Sequence, residues 1–109
     1  MNLTIDVNNK ENHKIVYLMG EIDAFTAPKL KESLLPLTQV EEQLVEVDLQ
    51  EVNYMDSTGL GVFISALKST KEYNSEMKLI HMQDRVYRLF KITGLTEIMN
   101  IESTVQGGM

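Results

Sequence analysis

The sequence predicts one α/β domain: a mixed, mostly parallel sheet of four to five strands with three to four helices. Alternating apolar residues mark strands, and apolar stripes at helical spacing mark helices. The two kinds succeed one another as β-β-α-β-α-β-α-β along 109 residues, with no linker, internal repeat or low-complexity stretch. That length suits a single domain, residues 1–109, with a real core. Alternation of strand and helix gives right-handed crossovers and parallel pairing, and the opening hairpin adds one antiparallel edge.

Leu3, Ile5 and Val7 alternate with Thr4 and Asp6, which is the pattern of a half-buried strand. A polar turn over residues 8–12 leads to a second strand, Ile15-Val16-Tyr17-Leu18-Met19, which Gly20 ends; the short link makes an antiparallel hairpin. Residues 21–25 form an acidic and apolar loop. Thr26 then caps a helix that carries Pro28 in its first turn, where a missing N–H does no harm. Leu30, Leu34 and Leu37 follow at helical spacing, and Pro36 breaks the last turn by removing a donor and clashing one turn back.

Val45, Val47 and Leu49 alternate with Glu46 and Asp48 as a third strand, followed by a loop over residues 50–56. The next helix runs from about 58 to 71, with Leu60, Phe63, Ile64 and Leu67 on one stripe. Gly59 and Gly61 in its first turn weaken helix propensity by roughly 1 kcal/mol each, so backbone there is either approached closely or packed tightly on a strand. Residues 77–82 read as a fourth strand. Asp84 caps a third helix with Val86, Leu89 and Phe90 inward, and Gly94 supplies its left-handed stop. Residues 98–101 form a last short strand, and 103–109, with two glycines, are expected to fray.

Composition narrows the function. Sixteen acidic residues against ten basic ones give a net charge of −6, and no basic stripe is present to displace counterions from nucleic acid. The acidic stretch around Glu41, Glu42, Glu46, Asp48 and Glu51 reads as a solvated surface, with a basic protein partner as the sharper alternative. Cysteine is absent, which removes disulfides, thiolate metal sites and cysteine nucleophiles. Apolar runs fall far short of the roughly 20 residues that span a bilayer, and the first residues lack a signal-peptide layout, so the expected location is the cytoplasm.

The most specific chemistry lies in Asp56-Ser57-Thr58-Gly59, where a strand pattern turns into a helix pattern. A helix start has unpaired N–H groups and partial positive charge, which suit an acceptor side chain or a phosphate. A serine there is reachable by solvent and is switched by added charge. The residues alone leave a plain capping turn open, with Thr58 as cap and Ser57 outward. Neither a Gly-rich phosphate loop nor a G-x-S-x-G elbow is present. Two hydroxyl residues separate Asp56 from Gly59, the wrong spacing for an aspartic protease, and the helix patterns contradict that all-β fold. His13 and His81 have no carboxylate at metal-ligand spacing and read as surface or structural residues.

Four blocks, in order and with matching spacing, resemble the bacterial anti-sigma factor antagonists of the STAS family. They are Gly20-Glu21-Ile22-Asp23, Thr26-Ala27-Pro28-Lys29-Leu30, Tyr54-Met55-Asp56-Ser57-Thr58-Gly59-Leu60-Gly61-Val62 and Arg88-Leu89-Phe90-Lys91-Ile92-Thr93-Gly94-Leu95. Within that family the likeness is to antagonists in the general-stress sigma factor system of Gram-positive bacteria. The resemblance implies a partner-switching regulator of transcription without enzymatic activity of its own. Unphosphorylated, such a protein binds an anti-sigma factor that is also an ATP-dependent serine kinase, and thereby frees the sigma factor; a PP2C-type phosphatase reverses the modification.

By the same resemblance Ser57 is the phosphate acceptor and Asp56 orients it. Glu21, Asp23, Thr26, Thr58, Gly59, Leu60 and Gly61 are the implied partner contacts. ATP and magnesium belong to the kinase, so no cofactor and no metal are assigned to this chain, nor any direct contact with nucleic acid or membrane. A monomer is expected when free. Many relatives carry a further helix where this tail is short and glycine-containing, which leaves a fourth helix open. Two other readings remain: a STAS-type ligand-sensing or scaffold module of a larger signalling assembly, and a small α/β enzyme, for which no base lies within the motif.

Overall fold

A computed structural model describes residues 2–102. The strands are β1 (Leu3–Asn9), β2 (His13–Ile22), β3 (Leu44–Met55), β4 (Glu76–Ile80) and β5 (Asn100–Ile101). The helices are α1 (Ala27–Leu34), α2 (Ser57–Tyr73) and α3 (Asp84–Ile92), with short 3₁₀ turns at Leu35–Gln39 and Leu95–Glu97. One sheet holds all five strands in the order β1-β2-β3-β4-β5; β1 pairs antiparallel to β2, and the other three pairings are parallel. The expected class, element order and opening hairpin are the observed ones. The expected fraying of 103–109, and any helix there, lie outside the described residues.

The core lies between the helices and one face of the sheet. Val16, Leu18, Val45, Val47, Leu49 and Leu79 point into it from the strands, against Leu30 and Leu34 of α1, Phe63 and Ala66 of α2, and Phe90 of α3. Phe63 and Phe90 meet edge to face with centroids 5.9 Å apart, which locks α2 against α3. Ile64 and Leu67, expected on the inward stripe of α2, are only partly buried, while Val62 and Ala66 are fully inside. Gly59, packed against Ile22 and Met55 at the strand ends, lets α2 sit deeper at its start than its leucine stripe suggests. Leu89 of α3 is likewise only partly buried.

Several boundaries differ from expectation. Gly20 does not end β2; it takes φ +124°, a conformation that other residues rarely adopt, and the strand continues to Ile22. A Cβ at that position would overlap the Asn2 carbonyl oxygen, which accepts a 2.9 Å hydrogen bond from the Glu21 N–H. β3 likewise runs through the expected loop to Met55, paired there with the end of β2. Pro36 sits in the 3₁₀ turn that ends α1, as its missing donor requires. Gly94, with φ +82°, closes α3 as expected. β4 stops at Ile80, and β5 is only Asn100–Ile101.

The opposite sheet face carries both histidines' partners. His13 Nε2 lies 2.6 Å from Glu46 Oε1, and His81 Nδ1 lies 3.0 Å from Asp48 Oδ2, so each imidazole is tied to a carboxylate of β3. Among the described residues no helix is long and apolar enough to cross a membrane.

Candidate functional site

The carboxyl ends of β2 and β3 deliver two short connections to the same edge of the sheet. The Asp56 N–H donates to the Ile22 carbonyl oxygen (3.2 Å), which joins the start of α2 to the end of β2. Asp56, not Thr58, is the cap of α2: it has extended backbone, and its Oδ1 accepts from the Thr58 N–H (2.9 Å) and the Gly59 N–H (3.4 Å). Because the carboxylate is engaged by backbone, it fixes the first turn and sets the direction of Ser57 through the main chain. Ser57 is the first residue of the helix and is exposed.

The β2–α1 connection is held by Asp23 and Thr26. Asp23 Oδ1 accepts from the N–H groups of Phe25 and Thr26, each at 3.0 Å. The Thr26 hydroxyl donates to the Glu21 carbonyl oxygen at 2.8 Å and accepts from the Asp23 N–H at 3.0 Å. Thr26 is thus a buried tie within the loop and makes no side-chain cap for α1, contrary to the expected role. The Thr26 N–H above all, with the Phe25 N–H and the Thr26 hydroxyl, stabilises the ionised Asp23 and holds its carboxyl below the usual carboxylate range, outweighing the opposing effect of burial.

The candidate residues divide by exposure. Ser57, Thr58 and Gly61 face solvent, Glu21, Asp23 and Asp56 are half-buried, and Thr26, Gly59 and Leu60 are buried. Gly59 and Leu60 shape the site from beneath; a Cβ on Gly59 would come within 2.7 Å of both Ile22 Cγ2 and Met55 Cγ. A groove of about 530 Å³ opens beside the acidic loop, lined by Glu21, Asp23, Asn53, Tyr54 and Arg85. Phe25, 81% exposed, and Tyr54, 46% exposed, flank this end of the molecule. Sequence reasoning did not single out Phe25, Tyr54 or Arg85. An aromatic residue inside an acidic loop was the available signal for Phe25; Arg85 reaches the site only because α3 starts beside β3.

The arrangement can present a hydroxyl for modification and a mixed aromatic and acidic surface for docking. Asp84, expected to cap α3, is instead its first residue; the cap position belongs to Gln83, which makes no side-chain capping bond. Among the described residues no group of three or more His, Asp or Glu side chains is arranged to hold a metal ion.

Comparison with known proteins gives the same picture from another direction. The STAS domain family matches residues 4–108. An anti-sigma-B factor antagonist of Listeria monocytogenes is 49% identical, the match covering 100% of this chain and 96% of the relative. The anti-sigma-B factor antagonist of Bacillus subtilis is 43% identical over 100% of this chain and 99% of its own length. Among solved structures, an anti-sigma factor antagonist from Mycobacterium paratuberculosis superposes with a TM-score of 0.83 over 95% of this chain and 88% of that one, at 21% identity, a likeness of fold. Fold, motif and whole-length similarity converge, and the chain belongs to the STAS domain family, among its bacterial anti-sigma factor antagonists.

Proposed function

We propose that this protein is an anti-sigma factor antagonist that works by partner switching. Unphosphorylated, it binds an anti-sigma factor through the end of the molecule that carries Ser57, and the sigma factor is released. Phosphorylation of Ser57 by that anti-sigma factor, acting as a serine kinase, switches binding off, and a PP2C-type phosphatase restores it. The protein acts by binding and performs no chemistry of its own. The observation that carries this reading is an exposed serine at the first position of α2, held by the Asp56 cap.

The switch follows from charge. A phosphate on Ser57 adds about two negative charges at neutral pH. The start of α2 tolerates them in the free protein, because its N–H groups and dipole favour an anion. Asp56 already accepts from two of those N–H groups, however, so the phosphate finds a site partly filled by another anion. In a complex that excludes water from this spot, the added charge is buried without a partner. A loss of about 3–4 kcal/mol weakens binding a few hundred-fold.

Mass spectrometry after incubation with the anti-sigma kinase and ATP tests the assignment directly. A single added phosphate on the peptide containing Ser57, absent from Ser57→Ala, is the expected outcome. Phosphate on Thr58 or elsewhere in the wild-type chain would refute it.

A further inference from the structure

The helices cover one face of the sheet, the face to which Val16, Leu18, Val45, Val47 and Leu79 point. The residues between them on each strand point the other way, onto a bare face. There β2 presents Tyr17, 42% exposed, and Met19, 56% exposed. Single exposed apolar side chains need no explanation, but these two follow each other on one face and line an open groove of about 340 Å³.

Their neighbours across the sheet are acidic. Tyr17 lies between Asp6 of β1 and Asp48 of β3, and Met19 lies opposite Glu51. Asp48 is already committed to His81 and to the Gln50 N–H. Asp6 and Glu51 are exposed and make no ion pair or side-chain hydrogen bond among the described residues. Lys78, on the same face, lies one strand further on, opposite Glu46. Two uncompensated carboxylates therefore bracket an apolar centre, separated across the sheet by two strand spacings, roughly 10 Å.

This charge pattern selects the occupant. It repels nucleic acid and an anionic bilayer, and a second copy would set one acidic face against another. It complements a cation on each side of an apolar side chain. A helix carries that pattern when basic residues stand at i and i+7, roughly 10 Å apart, with apolar residues at i+3 and i+4. We infer that the bare face of β1, β2 and β3 is a second docking surface, taken by a basic amphipathic helix of a protein partner. The helix lays its apolar residues on Tyr17 and Met19 and its cations on Asp6 and Glu51. Ser57 begins a helix on the covered face, so the two surfaces are occupied independently.

The test is an NMR titration of the isotope-labelled full-length protein with a synthetic helical peptide carrying lysines at i and i+7 and leucines at i+3 and i+4. Shifts confined to Asp6, Tyr17, Met19, Glu51 and their strand neighbours are expected, and Ser57→Asp is expected to bind the peptide like wild type. Tyr17→Ser should weaken binding about ten-fold, and Asp6→Asn combined with Glu51→Gln about five-fold. A peptide with glutamates in place of the lysines should bind the double variant Asp6→Lys, Glu51→Lys and not wild type. Absence of binding, shifts spread over every acidic part of the surface, or unchanged affinity in Tyr17→Ser overturns the inference. Sedimentation of wild type as a dimer that Tyr17→Ser dissociates also overturns it, because a second copy is then the occupant. So does weakened peptide binding in Ser57→Asp, because the two surfaces are then one. None of these outcomes decides whether Ser57 is the phosphate acceptor, which mass spectrometry settles separately.

Discussion

The starts of α2 and α3 follow neighbouring strands of one sheet but are fixed in different ways. At α2 the cap is local: Asp56 accepts from two N–H groups of the turn it begins. At α3 the cap residue Gln83 makes no such bond, and its side-chain amide reaches sideways to donate to the Gln50 carbonyl oxygen of β3 at 2.8 Å. Asp84 pairs with Arg88 at 3.2 Å on a surface where both are largely exposed, a contact worth little. A helix start that closes on itself holds its first side chain in place whatever its surroundings do. One that leans on a neighbouring strand follows that strand. The serine stands on the self-contained start, so its presentation does not wait for a partner.

The largest expected effect tests the function of that difference. Ser57→Asp should lower affinity for the anti-sigma factor a few hundred-fold by titration calorimetry, while circular dichroism and melting stay near wild type, because an anion at a capped helix start is tolerated. Gly59→Ala probes the packing beneath the serine. Its new methyl group must displace Ile22 or Met55, and after the gain in helix propensity a net destabilisation of about 1–2 kcal/mol is expected in urea unfolding.

The comparison itself is sharpened by a matched pair. Asp56→Ala should cost about 1 kcal/mol of stability through loss of the cap and slow the kinase reaction at Ser57. Gln83→Ala should cost less, about 0.5 kcal/mol for one partly solvated hydrogen bond, and leave that reaction unchanged. Equal effects on the kinase reaction would erase the distinction between the two starts. The smallest effect concerns acid. Asp23 has a lowered folded-state pKa, so its stabilisation is present above the ordinary carboxylate pKa and lost as pH falls through the lowered one. Melting of Asp23→Asn should therefore depend less on pH over that acid range than melting of wild type.

Most of the architecture was legible because each element kept its own period. β1 and the first half of β3 alternate cleanly, and α2 and α3 place apolar residues at helical spacing. The second half of β3 was read as a loop because its buried residues, Leu49, Val52 and Met55, fall three apart. The cause lies in β3 itself: against β2 it carries one extra residue between Asp48 and Glu51, opposite Tyr17 to Met19, and another between Val52 and Tyr54, opposite Gly20 to Glu21, and each irregularity turns the strand. A period of two cannot survive that. The cap of α2 was misread for a related reason. Asp56, Ser57 and Thr58 are all good caps, and only the end of β3 at Met55 decides which one stands at the boundary. The two costly glycines of α2 were plain, but that Gly59 and not Gly61 serves the core required its neighbours Ile22 of β2 and Met55 of β3.

The antiparallel edge strand has a practical consequence. Leu3 lies opposite Gly20, and the Lys29 ammonium donates to the Leu3 carbonyl oxygen at 2.9 Å, so β1 begins at the end of the sheet where β2 hands over to the acidic loop. Whatever is fused ahead of β1, a purification handle included, emerges on the side of the molecule that carries the serine and can obstruct it.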